Sequence, residues 1–378
     1  MDEASSDAAA KAAAVRAVAV SWVAPSMLGE GQRGERLKLS FLDSLWVVLP
    51  PIQRVFLYQL GEDGGDGFQF QAVVERLKRA LADTLAHYLP LAGTLEYEVE
   101  TGDAFVDCTA PTPGSPSSRP RATWISVYLH SVRSFVNFCL LRQPKCTMRT
   151  VRGQHDFSQR FLLARRTFYL GTDDIQSLRR RIDDLASAEA AAAGGDAPKL
   201  KPVSTFVALA ALSWTAFVRS KGLGAGDDTY LVFLADLRSR LDPHVSEAYL
   251  GNCVRACLAT CADAADLLGQ AGILRAARAV QAAVAEMEAA PLSGTDKGWM
   301  QKLMRLPFQR LTNVAASPRF RAYEAAGFGF GKPARVELVS MNHDGEMVLV
   351  GGRRDGDVQA SVSIDPAHMD AFKACIHG

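Results

Sequence analysis

The sequence of 378 residues is short of cysteine and has no long apolar run, and each shortage argues against a class of protein. Its seven cysteines form no C-x-x-C pair, which favours free thiols in a reducing compartment over a disulfide framework. The longest apolar run, residues 206–218, is interrupted by Ser213 and Thr215 and is shorter than the ~18 residues that a membrane span needs. The acidic N-terminus lacks the basic and apolar regions of a secretory signal. We therefore expect a cytoplasmic protein without a membrane partner.

An excess of charge of either sign is also missing. The chain has 42 Lys and Arg against 41 Asp and Glu, a net charge of +1 and a pI near 7.6, so no global field favours nucleic acid. Residues 108–155 are the exception, because they contain seven basic residues and no acidic residue. This window opens with a Pro- and Ser-rich stretch, residues 111–120, and shows no sustained period.

Two interpretations of this basic window are open. It is either an insert that binds an anion such as a CoA phosphate, or sequence of different coding origin, such as retained intron. We favour the second, and so predict that residues 108–155 are an anomalous insert or linker outside both cores.

Three of the cysteines recur every four residues, at Cys253, Cys257 and Cys261, which places them on one face of either a helix or a strand. No cluster of histidines or carboxylates accompanies them. Small buried cysteines are common, so we expect no metal site here.

Local patterns predict strands and helices in both halves of the chain. Alternating or wholly apolar runs predict strands at 13–22, 54–58, 165–170, 230–235 and 358–364. Apolar residues three and four apart predict helices that begin near Gln71, Thr172, Ser204 and Asp365, and the last three of these residues are predicted as N-caps. The Asp344-Gly345 turn predicts a hairpin between strands at 335–342 and 346–351.

These elements predict an α/β fold with two domains, each a mixed β-sheet covered by helices. An Ala-, Gly- and Lys-rich stretch, residues 190–202, reads as an exposed crossover between domains. We therefore predict an N-terminal domain at 1–189, which contains the window 108–155, and a C-terminal domain at 203–378. Because that window interrupts it, we expect the N-terminal domain to be incomplete.

A glycine-rich loop near the C-terminus combines three alternate glycines with two aromatic residues. Glycine tolerates positive φ, and the aromatic rings can fill neighbouring apolar surface, so the pattern predicts a rigid structural loop. Pro333 stands where a phosphate-binding loop has Ser or Thr, which argues against a nucleotide site. The loop residues are Gly327, Phe328, Gly329, Phe330 and Gly331.

Taken together, six motifs resemble those of the plant BAHD acyltransferases. The resemblance runs over residues 15–107 and again from about residue 154 to the end. The motifs are L-S-F-L-D at 39–43, L-P-L-A-G at 89–93, D-L-R-S-R-L at 236–241, Y-L-G-N-C at 249–253, S-P-R-F at 317–320 and G-F-G-F-G-K-P at 327–333.

The resemblance implies a CoA-dependent acyltransferase-like fold and transfer of an acyl group from acyl-CoA to a hydroxyl. It also implies a catalytic histidine that opens an H-x-x-x-D motif and takes a proton from the acceptor. None of the seven histidines has Asp four residues later, so the family's base is absent, and His155 is the candidate substitute. Gly327 further replaces the aspartate of the family's late D-F-G-W-G motif.

The resemblance also implies ligand contacts and a substrate class. CoA would meet Lys201, Ser204 and Thr205, where a lysine and a helix N-terminus favour phosphate. The acyl group or channel would meet Asp236, Arg238, Arg240 and Asn252, although the first three could instead fix the strand end by internal salt bridges. The motif combination looks most like the branch that acylates flavonoid and phenolic glucosides, with malonyl or hydroxycinnamoyl donors.

We therefore expect a monomeric transferase with acyl-CoA as co-substrate, a small phenolic glycoside acceptor and no tightly bound cofactor. The alternative is a catalytically silent BAHD-like ligand-binding protein, or the product of a defective gene model that lacks the catalytic histidine.

Overall fold

The computed structural model describes residues 16–26, 34–44, 46, 53–59, 70–109, 123–129, 135–141, 158–194, 201–293, 303, 305–329, 331–339, 341 and 343–377. The strands are β1 (Arg16–Val23), β2 (Arg36–Lys38), β3 (Arg54–Gln59), β4 (Thr94–Glu98), β5 (Asp103–Asp107), β6 (Thr123–Leu129), β7 (Phe135–Leu141), β8 (Ala164–Leu170), β9 (Thr229–Asp236), β10 (Val254–Cys261), β11 (Leu311–Ala316), β12 (Arg335–Leu338), β13 (Glu346–Gly351) and β14 (Val358–Ile364). The α-helices are α1 (Phe41–Ser44), α2 (Phe70–His87), α3 (Thr172–Ala192), α4 (Thr205–Lys221), α5 (Gly272–Ala289), α6 (Ala322–Ala325) and α7 (Pro366–His377).

The contacts divide the chain into two compact units. Unit 1 comprises residues 1–155 and 323–340, and unit 2 comprises residues 156–322 and 341–378. Each unit has its own sheet and helices, which agrees with the predicted α/β architecture. The sheet of unit 2 is mixed as predicted, whereas the described strand pairs of unit 1 are all antiparallel. Within the described residues, no helix combines the length and the apolar character needed to cross a membrane.

Unit 1 contains a five-stranded sheet with the strand order β1-β6-β7-β3-β12. Strand β6 pairs antiparallel with both β1 and β7, and β7 pairs with β3. Strands β6 and β7 thus occupy the middle of the sheet, although both lie in the basic window. This corrects the prediction that residues 108–155 stand outside both cores. Periodicity missed the two strands because their places are fixed by distant partners in β1 and β3.

The described core of unit 1 forms where α2 meets the strands. Its buried members are Val23 of β1, Tyr58 of β3, Val73, Val74 and Leu85 of α2, and Ala92. The backbone amide of Ser26 donates to the carbonyl of Ala82 at 3.0 Å, which ties the end of β1 to the helix. A separate three-stranded sheet has the order β2-β5-β4.

Unit 2 contains a six-stranded mixed sheet with the order β10-β9-β11-β13-β14-β8. Strand β11 pairs in parallel with both β9 and β13, and the outer strands pair antiparallel. The carboxyl ends of β9, β11 and β13 therefore lie at the same edge, where ligands commonly bind in α/β sheets.

Helix α4 is the central helix of unit 2. Ser204 caps its N-terminus by accepting from the amide of Val207 at 3.2 Å, and Gly222 ends it in the left-handed conformation at φ 66°. Trp214 and Phe217 are fully buried, and the Trp214 indole donates to Thr229 Oγ1 at 3.0 Å. A helix that is apolar on most faces requires packing on most faces, as the sequence predicted.

The observed division differs from the predicted crossover at 190–202. Strand β8 pairs with β14 in the sheet of unit 2, and Glu189 of α3 forms an ion pair with Arg278 of α5 at 2.8 Å. Residues 164–192 therefore belong to unit 2, because long-range strand pairing outweighs the composition of the stretch that follows them.

Two local predictions also need correction. The predicted hairpin around Asp344-Gly345 is wrong, because its two strands do not pair with each other. Strand β12 pairs with β3 in unit 1, and β13 pairs with β11 and β14 in unit 2. Gly171 rather than Thr172 is the N-cap of α3, and the Asp174 carboxylate accepts from the Gly171 amide at 3.1 Å. The Thr172 side chain instead contacts Asp357, with its hydroxyl 3.3 Å from Oδ1.

Candidate functional site

Arg238 lies just beyond the carboxyl end of β9 and holds the backbone of the next loop. Its Nη2 donates to the carbonyls of Tyr249 at 3.2 Å and Gly251 at 3.0 Å, and its Nη1 donates to Asp236 at 3.2 Å. Asp236 also accepts from the Arg238 amide at 2.9 Å. Arg238 thereby fixes the turn that presents Asn252, whose side chain is exposed.

Arg240 is similarly engaged within the protein. Its Nη1 donates to the backbone carbonyl of Asp236 at 2.7 Å, and its Nη2 lies 3.7 Å from Glu288 at the end of α5. The sequence left open whether these arginines contact a ligand or bond within the protein. In the structure both Arg238 and Arg240 bond within the protein. Asp236, with 57% of its side chain exposed, remains accessible to solvent at this edge.

Arg255 on β10 was missed by sequence reasoning. Only 6% of its side chain is exposed, and its Nη1 donates to the carbonyl of Ala290 at 2.6 Å, at the C-terminus of α5. Helix C-termini leave carbonyls without partners and carry negative partial charge, so a buried cation suits this position. No local signal distinguishes it from the other arginines, because its partner is 35 residues away.

Lys201, Ser204 and Thr205 lie together at the N-terminus of α4, as predicted. The side chains of Lys201 and Ser204 are exposed, and α4 has no acidic residue in its first turn. The positive end of the helix dipole and the lysine charge therefore coincide at an accessible place, which suits a phosphate.

Neighbouring helices hold this segment in position. Arg179 Nε of α3 donates to the carbonyl of Val203 at 2.8 Å, and Gln281 Nε2 of α5 donates to the carbonyl of Lys201 at 3.0 Å. The backbone of Lys201 is thus fixed while its ammonium group faces solvent, an arrangement that reduces the entropy lost when a ligand binds.

The glycine-rich loop is anchored to unit 1 by Tyr58. This buried tyrosine donates its hydroxyl hydrogen bond to the carbonyl of Ala326, and burial raises the pKa of Tyr58 to about 12. Phe328 has a φ of 41° and packs edge-on against Phe56 and Tyr58, with centroid distances of 6.2 and 6.4 Å. The predicted aromatic anchoring is observed for Phe328, whereas Phe330 lies outside the described residues.

Gly329 shows why this loop needs glycine. Its φ is 81°, in the left-handed region that glycine adopts without strain, while the nearest side-chain atom to a Cβ there would be Nη2 of the exposed Arg76, which can move aside. Arg76 in turn donates to the carbonyl of Phe328 at 3.4 Å. These contacts attach the described part of the loop to unit 1.

None of the histidines that the structure describes stands beside a carboxylate in a catalytic arrangement. His343 contacts Asn313 Nδ2 through Nε2 at 3.3 Å, and its Nδ1 lies 3.2 Å from the carbonyl of Asp344, at the amino end of β13. His87, His244 and His377 are exposed, and His155 lies outside the described residues.

The three regularly spaced cysteines lie on or beside strand β10. Cys253 and Cys257 are buried, and burial raises the pKa of Cys257 to about 11. Among the described residues, no group of three or more His, Cys, Asp or Glu side chains is arranged to hold a metal ion.

The sheets and helices described above define an α/β fold. The model of the Transferase family matches residues 19–111 and 115–376, so the chain belongs to this family, and the resemblance to the plant BAHD acyltransferases is confirmed. Among similar proteins, phenolic glucoside malonyltransferase 2 of Arabidopsis thaliana is 23% identical over 418 positions, covering 89% of this chain and 92% of that protein. BAHD acyltransferase DCR of the same plant is 32% identical over 176 positions, covering 45% of this chain and 36% of that protein.

Solved structures support the fold. Vinorine synthase has a TM-score of 0.64 at 16% identity, with 95% of this chain and 96% of that chain covered. TRI101 of F. sporotrichioides, complexed with coenzyme A and T-2, has a TM-score of 0.61 at 15% identity, with 90% and 97% covered. At these identities the likeness shows a shared fold, which confirms the predicted two-domain α/β fold class.

Proposed function

We propose that this protein transfers an acyl group, malonyl or hydroxycinnamoyl, from acyl-CoA to a hydroxyl of a phenolic or flavonoid glucoside. The observation that carries the proposal is membership of the Transferase family along nearly the whole chain, together with similarity to a phenolic glucoside malonyltransferase. The proposed enzyme is a cytoplasmic monomer that uses acyl-CoA as co-substrate and holds no tightly bound cofactor.

The N-terminus of α4 is the proposed CoA site. Lys201 supplies a positive charge, and the first amides of α4 beside Ser204 and Thr205 supply donors for phosphate oxygens. The contacts from Arg179 and Gln281 support this role, because they hold the backbone before any ligand arrives.

The carboxyl edge of β9 is the proposed acyl and channel side. Exposed Asp236 and Asn252 are its candidate ligand contacts. Arg238 and Arg240 are proposed to act through positioning, since their guanidinium groups already bind backbone carbonyls and carboxylates. Gly327–Gly331 are proposed as structural support.

The missing H-x-x-x-D motif favours a second candidate function, a silent ligand-binding member of the family. Loss of a general base typically costs about 10²–10⁴ in rate. The alignment with phenolic glucoside malonyltransferase 2 has 418 positions, more than the 378 residues of this chain, so it contains gaps on this chain's side. His155 is the proposed substitute base for the enzymatic reading.

The two functions are separated by a turnover assay. The purified protein is incubated with malonyl-CoA or p-coumaroyl-CoA and a panel of flavonoid and phenolic glucosides, and the free thiol of CoA is measured. Acceptor-dependent release that falls about 10²-fold or more in His155→Ala supports the enzyme and its proposed base. Turnover unchanged in His155→Ala removes that residue from the mechanism, and no turnover with any pair contradicts the enzymatic function.

The proposed CoA site is tested by calorimetric titration with CoA. We expect Lys201→Gln to weaken binding about three- to tenfold through the loss of one charge-assisted contact. The exposed Lys373 on α7 provides the matched control, and Lys373→Gln should leave binding unchanged. Binding without turnover supports the silent protein, whereas equal loss in both variants contradicts the assignment of this site.

A further inference from the structure

Two loops meet at the carboxyl edge of the parallel strands in unit 2. One follows β11 at residues 317–321, and the other connects β13 to β14 at residues 352–357. The amide of Gly351 donates to the carbonyl of Phe320 at 2.9 Å, and a Cβ on Gly351 would lie 3.1 Å from the carbonyl of Pro318. The loop at 317–321 is therefore in backbone contact with the end of β13, from which the second loop starts.

These loops together carry four exposed arginines, which we call the arginine rim: Arg319, Arg321, Arg353 and Arg354. Arg321 lies 3.9 Å from Asp355, and 69% and 95% of these two side chains are exposed. Such an exposed pair contributes little. Asp357, the other acid of the loops, accepts instead from the amide of Thr172 at 3.1 Å. Among the described residues, the guanidinium groups of Arg319, Arg353 and Arg354 have no hydrogen-bond or ion-pair partner.

The rim differs from the other arginines at this edge. Arg238 and Arg240 follow β9 and are engaged by backbone carbonyls and carboxylates of unit 2. The rim arginines follow the neighbouring strands β11 and β13 and face solvent. Clustered like charges repel, so three unpaired guanidinium groups and the weakly paired Arg321 on neighbouring loops leave a positive surface that an anion would stabilise.

We propose that the arginine rim is a second anion-binding subsite, which takes a phosphate or carboxylate group of a small molecule. The carboxyl edge of parallel strands is the usual ligand side of an α/β sheet, and guanidinium groups bind both oxyanions in bidentate geometry. The net charge of +1 supplies no global field for a polyanion, so a small ligand fits better than nucleic acid. The subsite is built from other residues than the Lys201 segment. The molecule that would supply this anion rests on the proposed function: the anion is either a CoA phosphate or a carboxylate of the acyl group or acceptor.

Binding is measured by calorimetry with two probes, malonate for carboxylates and adenosine 3′,5′-bisphosphate for phosphates. The titrations use the full chain carrying Lys201→Gln, so that the proposed CoA site does not dominate the phosphate signal. Low ionic strength, about 0.01 M, keeps surface charges unscreened over about 30 Å. The double variants Arg319→Gln/Arg321→Gln and Arg353→Gln/Arg354→Gln test the two loops separately. The control Arg180→Gln/Arg181→Gln removes the same charge from exposed positions on α3.

We expect each rim variant to weaken binding of at least one probe about tenfold, with the control unchanged and melting curves superimposable. Malonate binding alone identifies a carboxylate subsite, and bisphosphate binding alone identifies a phosphate subsite. No binding of either probe at millimolar concentration, or equal loss in the control, overturns the proposal. Because the titrations need no turnover, an inactive protein that still binds at the rim contradicts the proposed function and leaves the subsite standing.

Discussion

Tyr58 illustrates how one buried hydroxyl can organise a loop that is distant in sequence. Its partner, the carbonyl of Ala326, is 268 residues away, and 1% of Tyr58 is exposed. Because burial raises its pKa to about 12, the hydroxyl stays protonated and remains a donor at every physiological pH. Gly327, which follows Ala326, replaces the aspartate of the family motif, so Tyr58 provides an anchor next to the altered position.

The Tyr58→Phe variant should destabilise unit 1 by about 1–2 kcal/mol, because the carbonyl of Ala326 loses its donor in a buried place. The measurement is the midpoint of denaturant unfolding, followed by a signal specific to unit 1. Tyr88→Phe is the matched control, since Tyr88 is 50% exposed and should change stability by less than about 0.5 kcal/mol. Equal effects of the two variants would contradict an anchoring role for Tyr58.

At the scale of elements, strand β10 and helix α5 are joined by Arg255. Its Nη1 donates to Ala290 at 2.6 Å and lies 3.4 Å from the carbonyl of Pro291, while Nη2 lies 3.9 Å from exposed Glu286. The strand therefore supplies the cap that the helix sequence lacks, because α5 has no basic residue in its last turn. Capping by a separate element couples the order of the helix end to the sheet.

Replacing Arg255 with methionine should lower the free energy of unfolding of unit 2 by about 2–3 kcal/mol, since the carbonyls of Ala290 and Pro291 lose a buried charged donor. The rate of backbone amide hydrogen exchange at the end of α5 should increase in the same variant. Arg278→Met is the control, because it removes the ion pair with Glu189. These two side chains are 34% and 55% exposed, so the free energy of unfolding should fall by less than about 1 kcal/mol. A smaller loss for Arg255→Met than for Arg278→Met would rule out the proposed coupling.

At the scale of the whole molecule, a buried thiol and a buried tyrosine hydroxyl make stability depend on pH in the alkaline range. Burial raises the pKa of Cys257 in unit 2 to about 11 and that of Tyr58 in unit 1 to about 12. Each group holds its proton more tightly when folded, so the folded state binds more protons than the unfolded state once pH exceeds the ordinary pKa. The stabilisation is fully present below the ordinary pKa and is lost as pH rises through the folded value.

Stability of unit 2 should therefore fall between about pH 9 and pH 11, where an unfolded thiol is ionised and buried Cys257 is not. The test is thermal unfolding of unit 2 at intervals from pH 8 to pH 11, compared with Cys257→Ala. Alanine removes the titrating group, so the variant should show a shallower decline across this window, even if it is less stable throughout. Parallel declines in the two proteins would show that Cys257 does not contribute.

The sequence by itself determined the elements whose signals are local. The cap at Ser204 and the left-handed Gly222 bound α4, and the apolar run 230–235 predicted β9 to within a residue at each end. The same local chemistry located Lys201 beside a helix N-terminus, and the motifs identified the family. These features depend on capping, propensity and spacing, which a short stretch of chain fixes alone.

Tertiary structure alone decided which strands pair and which arginines remain free. The turn at Asp344-Gly345 joins strands of different sheets, and β6 and β7 of the basic window take their places from β1 and β3. Arg238, Arg240 and Arg255 are engaged while the rim arginines face solvent, although all are the same residue type. Pairing and burial depend on partners far along the chain, so no local pattern could have distinguished them.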